Sequence, residues 1–233
     1  MNKPDSDKFH DYGPHFYGRR KGRKLRTTMQ GLLDEQLPKL RYDPADSPAA
    51  QFGNRPADIF LEIGFGGGEN LAAVAAARPD AGFIGAEPFV NGVASLLRHI
   101  EDRDLSNIRI WDDDVRLIFG GMAAASLAGA YVLFPDPWPK RRHAARRILA
   151  PAVLDELARL IRPAGRLVLA SDHPAAKSWL LQSASSHPAF RWTARRPVDW
   201  RECPQGLVPT RYMMKAERES RTPNWFLFER CGD

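Results

Sequence analysis

The chain has 233 residues, 43% of them hydrophobic, which is enough for one sizeable core at the upper end of a single α/β domain. Only Cys203 and Cys231 are present, without Cys-x-x-Cys spacing, which argues against a disulfide framework or a zinc cluster and fits a reducing cytoplasm. The net charge of +6 favours acidic partners, and no run approaches a signal peptide or the ~20 apolar residues of a membrane span, so a soluble protein is expected.

Residues 1–57 are polar, basic and proline-rich, with one short amphipathic stretch, LLDEQLPKL (residues 32–40). They are expected to form a partly flexible arm leading into a domain at 58–233. From Asp58 onward, short apolar runs alternate with helical periodicity, the pattern of βαβ units and an α/β fold with a mostly parallel sheet. DIFLEI, GFIGAEP, NIRIWDD, GAYVLFPDP and GRLVLASD read as strands. NLAAVAAARP reads as a helix ended by Pro79, and Val90, Val93, Ala94 and Leu97 share one helical face. Leu154, Leu157 and Ile161 repeat that spacing between Pro151 and Pro163. The last run, NWFLFER, follows no clear helix and suits an antiparallel strand.

The turn LEIGFGGGENL (residues 61–71) has the glycines of a nucleotide cradle. A dinucleotide fingerprint starting at Gly64 and Gly66 would place its third glycine at position 69, which is Glu69, an acid at a helix start where a pyrophosphate would lie. A Walker loop needs a lysine that this turn lacks. What fits is Glu62-x-Gly64-x-Gly66-x-Gly68, an acid followed by alternating glycines, which resembles the first motif of class I S-adenosylmethionine-dependent methyltransferases. That cofactor carries a sulfonium, an ammonium and a ribose, so acidic neighbours suit it. Glu87 closes the next strand near the ~20-residue offset at which an acid binds a ribose. Asp114 follows the third strand, where a carboxylate can accept from an adenine amino group.

The fourth strand ends in LFPDPWPKRRH, where Pro135, Pro137 and Pro139 stiffen the chain around Asp136 and Trp138. Together with GAEPFVNGV, DDDV, ASD and TRYM…WFLFER, in order from Leu61 to Arg230, this stretch makes the chain similar to the bacterial tRNA (guanine-N7-)-methyltransferases. The resemblance implies a Rossmann-like class I methyltransferase fold, a mostly parallel seven-stranded sheet with helices on both faces and an antiparallel last strand. It implies S-adenosylmethionine as cofactor, contacted by Glu62, Gly64, Gly66, Glu87, Asp114 and Asp136, with Asp136 also catalytic. It implies tRNA as partner, methylated at a variable-loop guanine and contacted by Lys140, Asp172, Thr210, Arg211 and Tyr212. A monomer or homodimer without metal or membrane is expected. Met213 departs from the family, which usually has Glu there; Glu217, one helical turn on, is a candidate to compensate.

Two basic clusters suit RNA phosphates: Arg19, Arg20, Lys21, Arg23, Lys24 and Arg26, and then Lys140, Arg141, Arg142, Arg146 and Arg147 beside the proposed catalytic loop. Tyr12, Phe16 and Tyr17 would stack on bases or pack the arm. The six histidines lack ligand spacing. Two rival readings remain: an exocyclic-amine methyltransferase, since Asp136-Pro-Trp partly matches the loop that orients an amino nucleophile, and a non-catalytic RNA-binding protein with this fold.

Overall fold

A computed structural model describes residues 16–208 and 219–232. The strands are β1 (Ile59–Ile63), β2 (Gly82–Ala86), β3 (Ile108–Trp111), β4 (Leu127–Leu133), β5 (Ile161–Ser171), β6 (Phe190–Trp192) and β7 (Asn224–Arg230). They form one sheet in the order β3-β2-β1-β4-β5-β7-β6. The pairs from β3 through β5 are parallel, while β7 runs antiparallel to both β5 and β6. The expected mostly parallel sheet with an antiparallel last strand is therefore what forms.

β1 is central and buried along its whole length, as a parallel strand covered on both faces must be. With a two-residue period, Ile59, Leu61 and Ile63 enter one core, and Phe60 enters the other. The first core includes Val153, Leu154 and Leu157 of α5 (Pro151–Leu160) and Trp179 and Leu180 of α6 (Pro174–Ser185). The second includes Leu71 and Val74 of α3 (Glu69–Ala77) and Val93, Leu96 and Leu97 of α4 (Val90–Asp102).

Three elements differ from the sequence expectation. Ile161 leaves the α5 periodicity and starts β5, because Leu127 of β4 pairs with it before an irregularity shifts the register to Gly129 and Arg166. α6 was not foreseen: it opens on Pro174, with His173 accepting from the Ala175 N–H at 3.1 Å as its cap. β6 has three residues, too few for an alternating pattern to register.

Within residues 16–57, α1 (Thr27–Glu35) and α2 (Leu37–Leu40) bring Leu32, Leu33, Leu37 and Leu40 to the second core. Arg41 pairs in parallel with Ile110 at the β3 edge, and Tyr42 and Phe52 are buried in the first core. Tyr12, Thr210, Arg211, Tyr212, Met213 and Glu217 lie outside the described residues. Among the described residues, no helix is long and apolar enough to cross a membrane.

Two positions in this frame carry measurable consequences. A Cβ at Gly92, in the first turn of α4, would sit 2.1 Å from the carbonyl oxygen of Gly66. That neighbour is backbone and cannot yield cheaply, so Gly92→Ala is expected to destabilise the fold by roughly 1–3 kcal/mol, read as a lower urea midpoint. Glu62 is 3% exposed. Its carboxyl is pushed up from the ordinary 4.5 to about 8, chiefly by burial, with Glu69 and Glu87 adding to the rise and the Asn70 hydrogen bond opposing it. The folded state thus keeps a proton that the unfolded chain releases, so stability falls as pH rises from about 4.5 through 8 and levels off above. In urea titrations at about pH 5 and about pH 8, the wild type is expected to lose more stability between the two than Glu62→Gln; equal losses would contradict the assignment.

Candidate functional site

The C-terminal ends of β1, β2, β3 and β4 meet around a cavity of about 530 Å³. This is where an open α/β sheet binds its ligand, since the chain order reverses between β1 and β4 and leaves a crevice there. Gly64 and Gly66 after β1, Glu87 after β2, Asp113 and Asp114 after β3, and Phe134 to Asp136 after β4 contribute to its wall. Five of the six residues expected to hold the cofactor, namely Gly64, Gly66, Glu87, Asp114 and Asp136, thus line one space.

Gly64 lies at φ +72°, a left-handed conformation that favours glycine, and a Cβ there would meet no protein atom within 4 Å. A ligand can therefore lie directly against this backbone. Glu87 braces the turn from below: its Oε2 accepts from the Gly66 N–H at 2.8 Å and its Oε1 from the Phe89 N–H at 3.0 Å. Burial raises the Glu87 pKa, those two N–H bonds oppose the rise, and the Asp136 charge adds to it. Each Glu87 oxygen keeps a second lone pair for a ribose hydroxyl.

Asp114 is buried and already engaged. Its Oδ1 accepts from the backbone N–H and Nε of Arg116, both at 2.9 Å, and its Oδ2 accepts from the second guanidinium arm at 2.5 Å. The two-point ion pair fixes the carboxylate's orientation and leaves one Oδ2 lone pair for a further donor. Glu62 differs from the other acids. Its Oε2 accepts from Asn70 Nδ2 at 2.9 Å, and it lies beneath the glycine turn and outside the cavity wall.

Asp136 is solvent-exposed on a strained loop. Phe134 and Trp138 on either side have φ of +52° and +34°, uncommon for bulky residues. Packing holds them in place. Phe134 makes an edge contact with Trp225, Trp179 Nε1 donates to the Pro137 carbonyl at 3.0 Å, and Arg147 donates to the Trp138 carbonyl. Strain of this kind persists only where surroundings over-determine it, and it concentrates at functional sites.

The arm closes the cavity from above. Phe16, Tyr17, Gly18 and Arg19 form part of the wall. The Arg20 carbonyl accepts from the Val90 N–H, and its guanidinium pairs with Asp113 at 2.7 Å. Asn91 clamps the next turn, accepting from the Gly22 N–H and donating to the Arg23 carbonyl, both at 2.8 Å. Arg146 stands between two rings, 5.0 Å from the centroid of Tyr17 and 4.9 Å from that of Trp138, within cation–π range. Tyr17 thus meets the domain through Arg146, while Phe16 lies against Arg20 of the arm itself, 5.1 Å from the ring centroid.

Lys140 is exposed at the start of the basic turn, outside the cavity wall. Asp172 is nearly buried and paired with Arg221 Nε at 2.7 Å. Arg116, Asn70, Asn91 and Arg221 escaped sequence reasoning, since a lone Arg or Asn has no spacing signal. Among the described residues, no three His, Cys, Asp or Glu side chains are grouped to hold a metal ion.

Four carboxylates and four arginines share the cavity wall; Asp113 and Asp114 are paired with Arg20 and Arg116, which leaves Glu87 and Asp136, within electrostatic reach of each other, as the acids open to a cationic or hydroxyl-bearing ligand. Comparison with known proteins agrees. A family model described as "Putative methyltransferase" matches residues 56–224. A tRNA (guanine-N(7)-)-methyltransferase of Rhodospirillum rubrum is 48% identical, over 92% of this chain and 87% of that protein. One from Rhizobium meliloti is 43% identical, over 93% and 95%. Among solved structures, the antibiotic-resistance methyltransferase Kmr superposes with a TM-score of 0.54 at 21% identity, over 82% of this chain and 94% of that one, a likeness of fold. With the glycine turn, the strand-end acids and near-full-length relatives in agreement, the chain belongs to the tRNA (guanine-N(7)-)-methyltransferase family.

Proposed function

We propose that the protein transfers a methyl group from S-adenosylmethionine to N7 of a variable-loop guanine in tRNA. The observation that carries this reading is the convergence of Gly64, Gly66, Glu87, Asp114 and Asp136 on one cavity at the sheet's C-terminal edge. The residues fit the donor: the open Gly64 backbone is a cradle, Glu87 suits a ribose, and the spare Asp114 lone pair suits an adenine amino group. When bound, the donor supplies an electrophilic methyl on a sulfonium. Glu62, kept largely protonated by burial, supports the turn through Asn70.

Guanine N7 has a free lone pair and no proton, so no side chain has to act as a base on the nucleophile. The task left to the protein is orientation, which contributes about 7 to 11 kcal/mol when nucleophile and electrophile are held in line. Asp136 is the residue placed for it. Its carboxylate can accept from the guanine N1–H and the exocyclic amine, hold the ring, and offset the positive charge that N7 alkylation puts there. The strained Phe134–Trp138 loop holds Asp136 in place. Lys140, Arg141 and Arg142, exposed next to it, serve the phosphates around the target base, and Asp172 and the Thr210–Tyr212 stretch remain assigned to the tRNA.

Asp136→Ala is expected to lower methyl transfer at saturating donor by two or more orders of magnitude, as when a group acting on the transition state is lost, while urea stability changes little. The measurement is single-turnover transfer of labelled methyl to an unmodified tRNA transcript, with N7-specific aniline cleavage locating the product. Near wild-type transfer would refute the role of Asp136. Label on an exocyclic amine would refute the N7 assignment.

A further inference from the structure

A second cavity, of about 390 Å³, lies over the sheet face from the start of β1 to the middle of β4, β5 and β7, and shares no lining residue with the site described above. Phe60, Ala128, Tyr131, Val168 and Leu227 form its apolar floor. Arg78, at the end of α3, and Arg162 and Arg166, at the start and middle of β5, bring three guanidiniums to its rim.

These cations are far from neutralised. Arg78 and Arg162 share a single carboxylate, that of Asp58, at 3.2 and 2.7 Å. Arg166 has no carboxylate within salt-bridge distance among the described residues; its cross-strand neighbour Glu229 is bonded to Arg191 at 2.6 Å. The excess is held in place by packing as well as charge, since the Arg78 guanidinium lies 4.2 Å from the centroid of the Phe60 ring. Planar guanidiniums over an apolar, aromatic floor match a phosphate joined to a sugar and base. The volume lies within the range of sites that enclose a small ligand. Along β1 the floor residue Phe60 is separated from Gly64 by roughly 13 Å at ~3.3 Å per residue, a span that two different nucleotides of one polynucleotide can bridge.

We infer that the cavity ringed by Arg78, Arg162 and Arg166 takes one phosphate-bearing nucleotide of the bound tRNA, away from the base that is methylated. This rests on the tRNA reading given above. The role is anchoring: the rim cations set where the tRNA body lies relative to the methyl-transfer cavity and add salt-dependent affinity without touching the reacting atoms.

The test uses Arg166→Ala and the charge reversal Arg166→Glu in the full chain. Arg166 is exposed and outside the methyl-transfer cavity, so both variants should fold and keep the wild-type KM for S-adenosylmethionine and the wild-type kcat at saturating tRNA. The expected result is a several-fold higher KM for tRNA, larger for Glu than for Ala, and a salt dependence of tRNA binding shallower by about one unit in the Ala variant. A merely structural role would not move the salt slope. Unchanged KM and slope in both variants, with a wild type that methylates tRNA, would overturn this inference alone. A wild type that fails to methylate tRNA would instead remove the reading beneath it. Guanosine monophosphate binding to the wild type, lost in Arg166→Ala while tRNA KM is unchanged, would assign the cavity to free nucleotides and overturn the tRNA assignment.

Discussion

Everything at the sheet's working edge follows from how closely α4 approaches the turn after β1. The Gly66 carbonyl leaves no space for a side chain at Gly92, so the first turn of α4 sits directly against the glycine loop. Glu87, in the short link between β2 and α4, then spans the gap, taking one N–H from the loop and one from Phe89 at the helix entrance. Asn91, one residue before Gly92, faces outward and holds the arm. One backbone-to-backbone approach thereby sets the cavity floor, the placement of the proposed ribose acid and the anchor of the lid.

That geometry also gives similar carboxylates dissimilar states. Glu62 is deep beneath the turn and pays for burial by holding its proton. Glu87 is partly desolvated but receives two N–H bonds, which favour the charged form a cation would prefer. Asp114 is buried with Arg116 as counter-ion, whereas Asp136 is exposed. The environments separate the acids into a structural prop, a polar floor, a fixed acceptor and a free one. Residue type alone would have made them equivalent.

Much of this was legible in the sequence because it rests on local patterns. A buried strand running into Gly64, Gly66 and Gly68 announces a left-handed turn with close neighbours, and acids at successive strand ends must share an edge once the strands are parallel. Glu62 shows the limit of that logic: a strand end gives the register of a side chain but not its depth, and its two-residue period turns it under the loop with Phe60. What stayed illegible depends on partners distant in sequence. Asn91 meets Gly22, Trp179 meets Pro137, Arg221 meets Asp172, and the rim arginines of the second cavity come from two distant segments, the end of α3 and β5. The basic character of residues 16–26 was plain, but its contact with Asp113 and Val90 was not.

The arm links the two chemistries that a tRNA methyltransferase must bring together. Phe16 to Arg19 form part of the cavity wall, and Arg20 pairs with Asp113 at its edge. Arg146, from the basic turn after the Asp136 loop, is held by a ring from the arm on one side and a ring from that loop on the other. The two ring contacts, each worth about 0.5–1 kcal/mol at exposed sites, join the arm to the loop through one guanidinium. Arg146 thereby ties the arm, the Asp136 loop and the cavity wall into one packed unit.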